Sequence, residues 1–401
     1  MIPALCALTL ALAAGTVAHL DDADPMEAVR VRWQGKSYKG SELPEELGPG
    51  PPAAVEAWAA WTLERGYQLH LVPDGRLLLV SPKKNGKLKR QLALIAQTQE
   101  LFDELVPEPE REEVVVAEEA GAEPEPAESD ELPEDPEGGP VGWQPEGLEP
   151  VPFTYSYEWG AGTWPPDTET CVLFVVHDEE DYGSLVDALG EMQDYLKDWA
   201  KTGKQNTGFV HEHPLVAAYI ENASGQEEWD PDNEVVHRTA QMLFVRRFSS
   251  QQPYWLAQGF SWHVEYAIRK AIYCFPYRDE FVFAVEHTAW GTELKNAFSD
   301  RKKDPLRLEE FAGWKRGKYD GRIAKISWGL VGHMTEHHPG ELSRFAEALR
   351  LFALEDNRIE MGDGSWERDP DYVVSIENQG KLLSEHFGEE FLSEATKAFG
   401  K

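Results

Sequence analysis

The residues of this chain whose types and spacing could do chemistry gather in 232–270, the run DNEVVHRTAQMLFVRRFSSQQPYWLAQGFSWHVEYAIRK. It reads as two consecutive helices joined by a short loop at 249–253. The first carries His237, Arg238 and Gln241; the second carries Trp255, Gln258, Gly259 and Glu265. His237 and Gln241 stand one turn apart on one helix face, the spacing with which a helix grips a metal ion. A catalytic zinc needs about three strong ligands, imidazole or carboxylate, plus an open position. One imidazole and two neutral amides do not supply that set. Arg238 adds a permanent positive charge where the cation would lie, and two such charges a few ångströms apart repel by several kcal/mol at intermediate dielectric.

The pair resembles the metal-binding helix pair of the gluzincin zinc peptidases, the group that includes thermolysin and the aminopeptidase N family. Those enzymes carry H-E-x-x-H on one helix, and a second helix with a W-L-x-E-G-type run supplies a third ligand. Trp255-Leu256-Ala257-Gln258-Gly259-Phe260-Ser261 is similar to that second run, and Glu265 matches a further acidic position in it. The resemblance implies that His237 stands at the first His, Arg238 at the general-base Glu, Gln241 at the second His and Gln258 at the Glu ligand. These former active-site positions imply a site whose shape is kept and whose reaction is lost, with no catalytic residue, metal or cofactor. Members of the aminopeptidase branch use a Tyr to stabilise the oxyanion; Tyr319 is the nearest candidate here. The resemblance covers 152–399 in layout and is specific over 237–265.

Other residues offer alternatives. His237 could share a metal with His263 and Glu265, but His263 and Glu265 are two apart on a helix and point in different directions. His333 and His337 are also one turn apart, with His338 beside them, a spacing compatible with a metal. They precede Pro339-Gly340, and histidines at a helix C-terminus are favoured by the helix dipole, the preferred reading here. His211-Glu212-His213 precedes Pro214 and reads as a surface loop. His70 alternates with apolar neighbours and reads as a surface strand histidine. Cys171 and Cys274 are a disulfide pair if close enough, or two buried thiols.

The elements that must position these residues imply an α+β fold, a mixed sheet followed by a mostly helical C-terminal part. Residues 26–105 form a small α+β module: a strand at 29–33, a helix at 51–65, a hairpin of 67–72 and 76–80 turning on Pro73-Asp74-Gly75, and a helix with Leu88, Leu92, Ile95 and Phe102 on one face. Within 106–150, the 107–150 stretch holds sixteen Asp or Glu, one Arg and nine prolines, and reads as a disordered acidic linker. The peptidase-like domain takes 151–401. It begins with a buried strand at 171–176, a helix at 182–199 and a strand region at 208–221. An aromatic-rich stretch, 275–298, then precedes helices at 323–337, 341–352 and 375–399.

The net charge of −34 argues against nucleic-acid binding, which needs a basic surface. The apolar run from Ile2 to Ala18, with a small-residue site at Thr16-Val17-Ala18, reads as a secretory signal peptide over 1–18 and implies export to a periplasm or the cell exterior. No later stretch is apolar enough to span a membrane. The expected function is that of an exported, catalytically inactive peptidase-like protein that binds a peptide or protein partner in the former cleft, with Arg238, Gln241, Gln258 and Tyr319 as ligand-binding candidates. Two alternatives stand beside it: an active metal-dependent hydrolase with non-standard ligands, and a structural scaffold of an envelope or secreted assembly. The sequence does not fix the oligomeric state.

Overall fold

A computed structural model describes residues 24–108, 169–193, 196–212, 214–222, 230–249, 251–275, 284–299, 304–357, 359–360, 366–367 and 372–401. The described residues up to 107 and from 169 onward fall in one compact unit. The signal-peptide expectation (1–18), the linker from 109 onward, Tyr277, Phe281, Phe283 and His213 lie outside the described residues.

In chain order the elements are α1 (Pro25–Ala28), β1 (Arg30–Trp33), β2 (Lys36–Lys39), α2 (Gly50–Arg65), β3 (Tyr67–Leu71), β4 (Leu77–Pro82), α3 (Leu88–Leu105), β5 (Cys171–Val176), α4 (Glu179–Met192) and α5 (Lys197–Gly203). Then follow β6 (Gly208–Glu212), β7 (Leu215–Ile220), α6 (Pro231–Phe248), α7 (Tyr254–Arg269), α8 (Trp290–Phe298), α9 (Gly321–His337) and α10 (Glu341–Asp356). A two-stranded ribbon, β8 (Ile359–Glu360) with β9 (Trp366–Glu367), precedes α11 (Ile376–Phe387) and α12 (Phe391–Phe399). The fold is mixed α+β, as the sequence implies. No described helix is long and apolar enough to cross a membrane.

The seven-stranded sheet has the order β2-β1-β3-β4-β5-β7-β6. The hairpin expected at Pro73-Asp74-Gly75 is there, with Gly75 at φ +75°, a left-handed value that glycine adopts without a Cβ penalty. β4 continues in parallel register into β5, Leu77 opposite Cys171 and Val80 opposite Phe174. β5 pairs in parallel with β7, and β6 folds back antiparallel on β7. β5 and β7 are apolar at every position because both faces are covered. Leu77, Leu79, Cys171, Leu173, Ala217 and Tyr219 face the core shared with α3, α6, α7 and α9. Leu78, Val80, Val172, Phe174, Val216 and Ala218 face the other core, under α2 and α4.

This sheet corrects the expectation of a separate module at 26–105. Four of the seven strands come from that segment, and the parallel β4–β5 ladder makes them continuous with the rest. α3 joins the large helical layer as well. Phe102 meets Phe260 of α7 edge-to-face at 5.7 Å, Arg247 of α6 lies over the Phe102 ring at 4.6 Å and donates to the Val106 carbonyl, and Ser343 donates to the Pro107 carbonyl at 2.5 Å. A hydrophobic pattern reveals which face of an element is apolar, not which partner covers it.

Three smaller expectations change. The single helix at 182–199 is two, α4 and α5, and α5 folds back until Ala200 lies against Gly190, where an added Cβ would come within 2.8 Å of it. The strand region at 208–221 is a hairpin of two strands, which puts His211 on β6 rather than in a loop. His70 is buried at 4 % exposure, and burial pushes its pKa down to about 4, so its alternation marks a strand covered on both faces.

Candidate functional site

α6 starts where the sequence provides every N-terminal signal. Asp230 Oδ1 accepts the Asp232 N–H at 3.0 Å, Pro231 opens the first turn, and Asp232 and Glu234 meet the positive end of the helix dipole. α7 begins after Pro253 and ends where Lys270 takes a left-handed conformation, φ +60°. That turn sends 271–274 back along α7, where Trp262 Nε1 donates to the Cys274 carbonyl at 2.6 Å. α7 in turn lies close on α9, because an added Cβ at Gly259 would sit 2.6 Å from the Ser327 carbonyl oxygen.

Between the two helices lies a buried polar network centred on Glu265, which is fully buried. Its Oε1 accepts Asn233 Nδ2 at 2.7 Å, the Tyr273 N–H at 2.6 Å and the Cys274 N–H at 3.3 Å. Its Oε2 lies 2.9 Å from His237 Nδ1. A carboxylate only accepts, so that ring nitrogen carries the proton. Asn233 also donates to the Ala271 carbonyl at 2.8 Å and accepts Arg269 Nε at 3.1 Å, and Arg269 reaches Asp230 at 2.8 Å. Four N–H groups on one carboxylate compensate its burial and tie α6, α7 and the returning strap into one piece.

Next to His237, Arg238 is paired at 2.6 Å with Glu234, one turn before it. Burial works against its charge, but the neighbouring Glu234 carboxylate outweighs that and raises its pKa. The guanidinium lies under the edge of the sheet: an added Cβ at Gly208 would be 2.5 Å from Arg238 Nη2. The i−4 ion pair is therefore the role the fold gives Arg238, and its charge is already met. Gln241 is 8 % exposed; Gln258 is 2 % exposed, and its Oε1 has no hydrogen-bond partner among the described residues. Tyr319 stands apart from the network, against Phe275 at 6.0 Å and beside the first turn of α9.

The sequence reading joined His237 and Glu265 and missed Asn233, Arg269 and Cys274. Asn233 is one turn before His237, and Arg269 one turn after Glu265, so helical spacing could have found both. Nothing in the sequence around Cys274 indicates the chain reversal that brings it in. Cys171 and Cys274 are both free thiols, buried in different parts of the core. His263 does not join His237. Its Nε2 is 3.3 Å from Thr335 Oγ1, and its ring faces Gly332 of α9, with the pKa pushed down to about 4 by burial.

A ligand atom from each of His237, Glu265 and Cys274 lies within 4.8 Å of the others, close enough for one cation. The donor chemistry argues against it. Glu265 already receives four N–H groups, and burial together with the Glu234 and Glu265 carboxylates pushes the Cys274 thiol well above its ordinary pKa. A metal there would have to break the His237–Glu265 hydrogen bond and expel the thiol proton. On the opposite face, a groove of about 450 Å³ between α2 and α4 is lined by residues such as Trp61, Arg65, Ser184 and Lys204. Glu64, Glu179, Glu180, Asp187 and Glu191 outnumber Arg65 and Lys204, which lie 3.6 Å from Glu180 and 2.5 Å from Asp187, so the groove is net acidic and disfavours an anionic ligand.

No protein-family model matches this chain, and a search among characterised proteins finds no similar sequence.

Proposed function

We propose that this chain is an exported, non-catalytic peptidase-like protein that holds an extended segment of a peptide or protein partner along the outer edge of β6. The observation that carries the reading is the position of β6. It is the last strand of the sheet, α6 runs beneath it, and no described strand pairs with its far side. The Ile220 N–H donates to the Thr207 carbonyl. Strict antiparallel alternation then turns the backbone groups of Gly208, Val210 and Glu212 outward, where an added strand would find them. The gluzincin resemblance agrees with this edge as the cleft wall. The saturated Glu265 and the paired Arg238 favour a site without catalysis.

Arg238, one of the ligand-binding candidates, is already paired with Glu234, so backbone pairing rather than charge supports binding. The test begins with extended decapeptides selected on the full chain. N-methylation of alternate backbone amides in a selected peptide should abolish its binding, and binding that survives methylation in both registers would remove β6 from the mechanism.

A second reading, a metal-dependent hydrolase, has the proximity of His237, Glu265 and Cys274 in its favour. It requires new N-termini when denatured casein is incubated with the chain and stoichiometric zinc, and their loss in Cys274→Ala. The expected result is no cleavage.

A further inference from the structure

We propose that His333 and His338 of the α9 C-terminus, with Glu394 of α12, form a binding site for a zinc-class divalent metal ion that clamps the last helix to the domain. A ligand atom from each of the three lies within 4.8 Å of the other two. The residues come from separated parts of the chain, and the α9–α12 contact is what assembles them. The site stands outside the α6–α7 network and rests on different side chains.

The buried ring of His333 offers what a ligand requires. The side chain is 8 % exposed, and its Nε2 is buried with no hydrogen-bond partner among the described residues. A buried imidazole nitrogen without a hydrogen-bond partner has its coordination unmet, and a cation beside it would supply the missing partner. An orphaned buried nitrogen is destabilising, and a metal bound at it would remove that cost.

The surroundings fit a small, well-held ion. Phe391 lies 5.5 Å from the His333 ring, and Phe387 lies 5.4 Å from the His338 ring, so aromatic walls keep both imidazoles in place. Two imidazoles and one carboxylate suit zinc better than calcium or magnesium, which take oxygen ligands. Tetrahedral zinc with bonds of about 2.0–2.1 Å sets its ligand atoms about 3.4 Å apart. Glu394 is exposed and free to rotate into that geometry. The His337 ring stands 4.5 Å from that of His333.

The experiment uses the untagged full chain, stripped with a chelator and titrated with zinc chloride against a chromogenic competitor. One zinc per chain is expected, with a higher Tm on saturation. Because His333 is part of the core packing, the variants are Glu394→Gln and His338→Ala, with Cys274→Ala as control. Loss of one ligand should weaken zinc binding by about tenfold or more and remove the zinc-dependent rise in Tm, while the control keeps both. A wild-type chain that holds no zinc overturns the proposal. So does unchanged affinity in both ligand variants, or zinc that disappears only with Cys274→Ala.

Discussion

Arg238 and Glu234 are a buried ion pair on one helix face, and at the scale of single residues they behave as one unit. Removing Arg238 leaves a carboxylate in the core with its charge unmet. Arg238→Ala should therefore lower stability by about 3–5 kcal/mol, and the double variant with Glu234→Ala should recover part of the loss. A urea-denaturation double-mutant cycle measures this, and additive effects would show that the two are not coupled. Glu169 gives a pH signature. Burial raises its pKa from 4.5 to about 7, although it accepts the Leu215 N–H at 3.0 Å. The folded state thus holds that proton more tightly than the unfolded state. Its contribution to stability is complete below about pH 4.5 and is lost as pH rises through about 7. Glu169→Gln should flatten that part of the stability–pH curve.

At the scale of elements, two glycines set how closely layers approach. Gly259 lets α7 rest on the backbone of α9, and Gly208 lets β6 rest on the Arg238 guanidinium and the Ala218 carbonyl. Gly259→Ala should cost about 1–3 kcal/mol, because the obstacle is backbone and a helix must move. Thermal unfolding measures it, and an unchanged Tm would mean that the α7–α9 contact adjusts freely. The helix pair itself was legible in the sequence: two helices over 232–270 with a loop at 249–253 place α6 and α7 almost to the residue. The network between the helices was legible only where helical spacing linked residues. Cys274 and the 271–274 strap depend on the left-handed turn at Lys270, a conformation that Lys does not advertise.

At the scale of the whole molecule, the strands before the acidic stretch and those after it share one sheet and both cores. Deleting residues 1–107 would remove four strands and expose the faces of β5, α6 and α7. The remaining fragment should lose cooperative unfolding and bind a hydrophobic dye. A fragment that unfolds in one sharp transition would show that the second part is a domain in its own right. Four histidines, His70 and His333 buried and His211 and His263 half-buried, add an acid limit. Burial lowers the pKa of His70, His211, His263 and His333 to about 4, so each is neutral in the folded state. Their shared contribution is intact above about pH 6.5 and is lost as pH falls through about 4, since the unfolded chain takes up those protons first. Denaturation midpoints between pH 7 and pH 4 should fall accordingly.

The sequence by itself determined most of the elements, the α+β class, the apolar runs of the doubly covered strands and the place of the helix pair. Each follows from local chemistry: side-chain periodicity, capping residues and turn residues act over a few positions. It also determined that Gln241 and Gln258 are amides where strong metal ligands would be needed. Only the tertiary structure decided that the two halves build one sheet and that Glu265 takes its four donors from α6 and the strap. It also decided that His333 and His338 meet Glu394. The physical reason is that strand pairing, buried charge compensation and metal-ligand geometry depend on distances between residues far apart in the chain, and those distances exist only once the layers have packed.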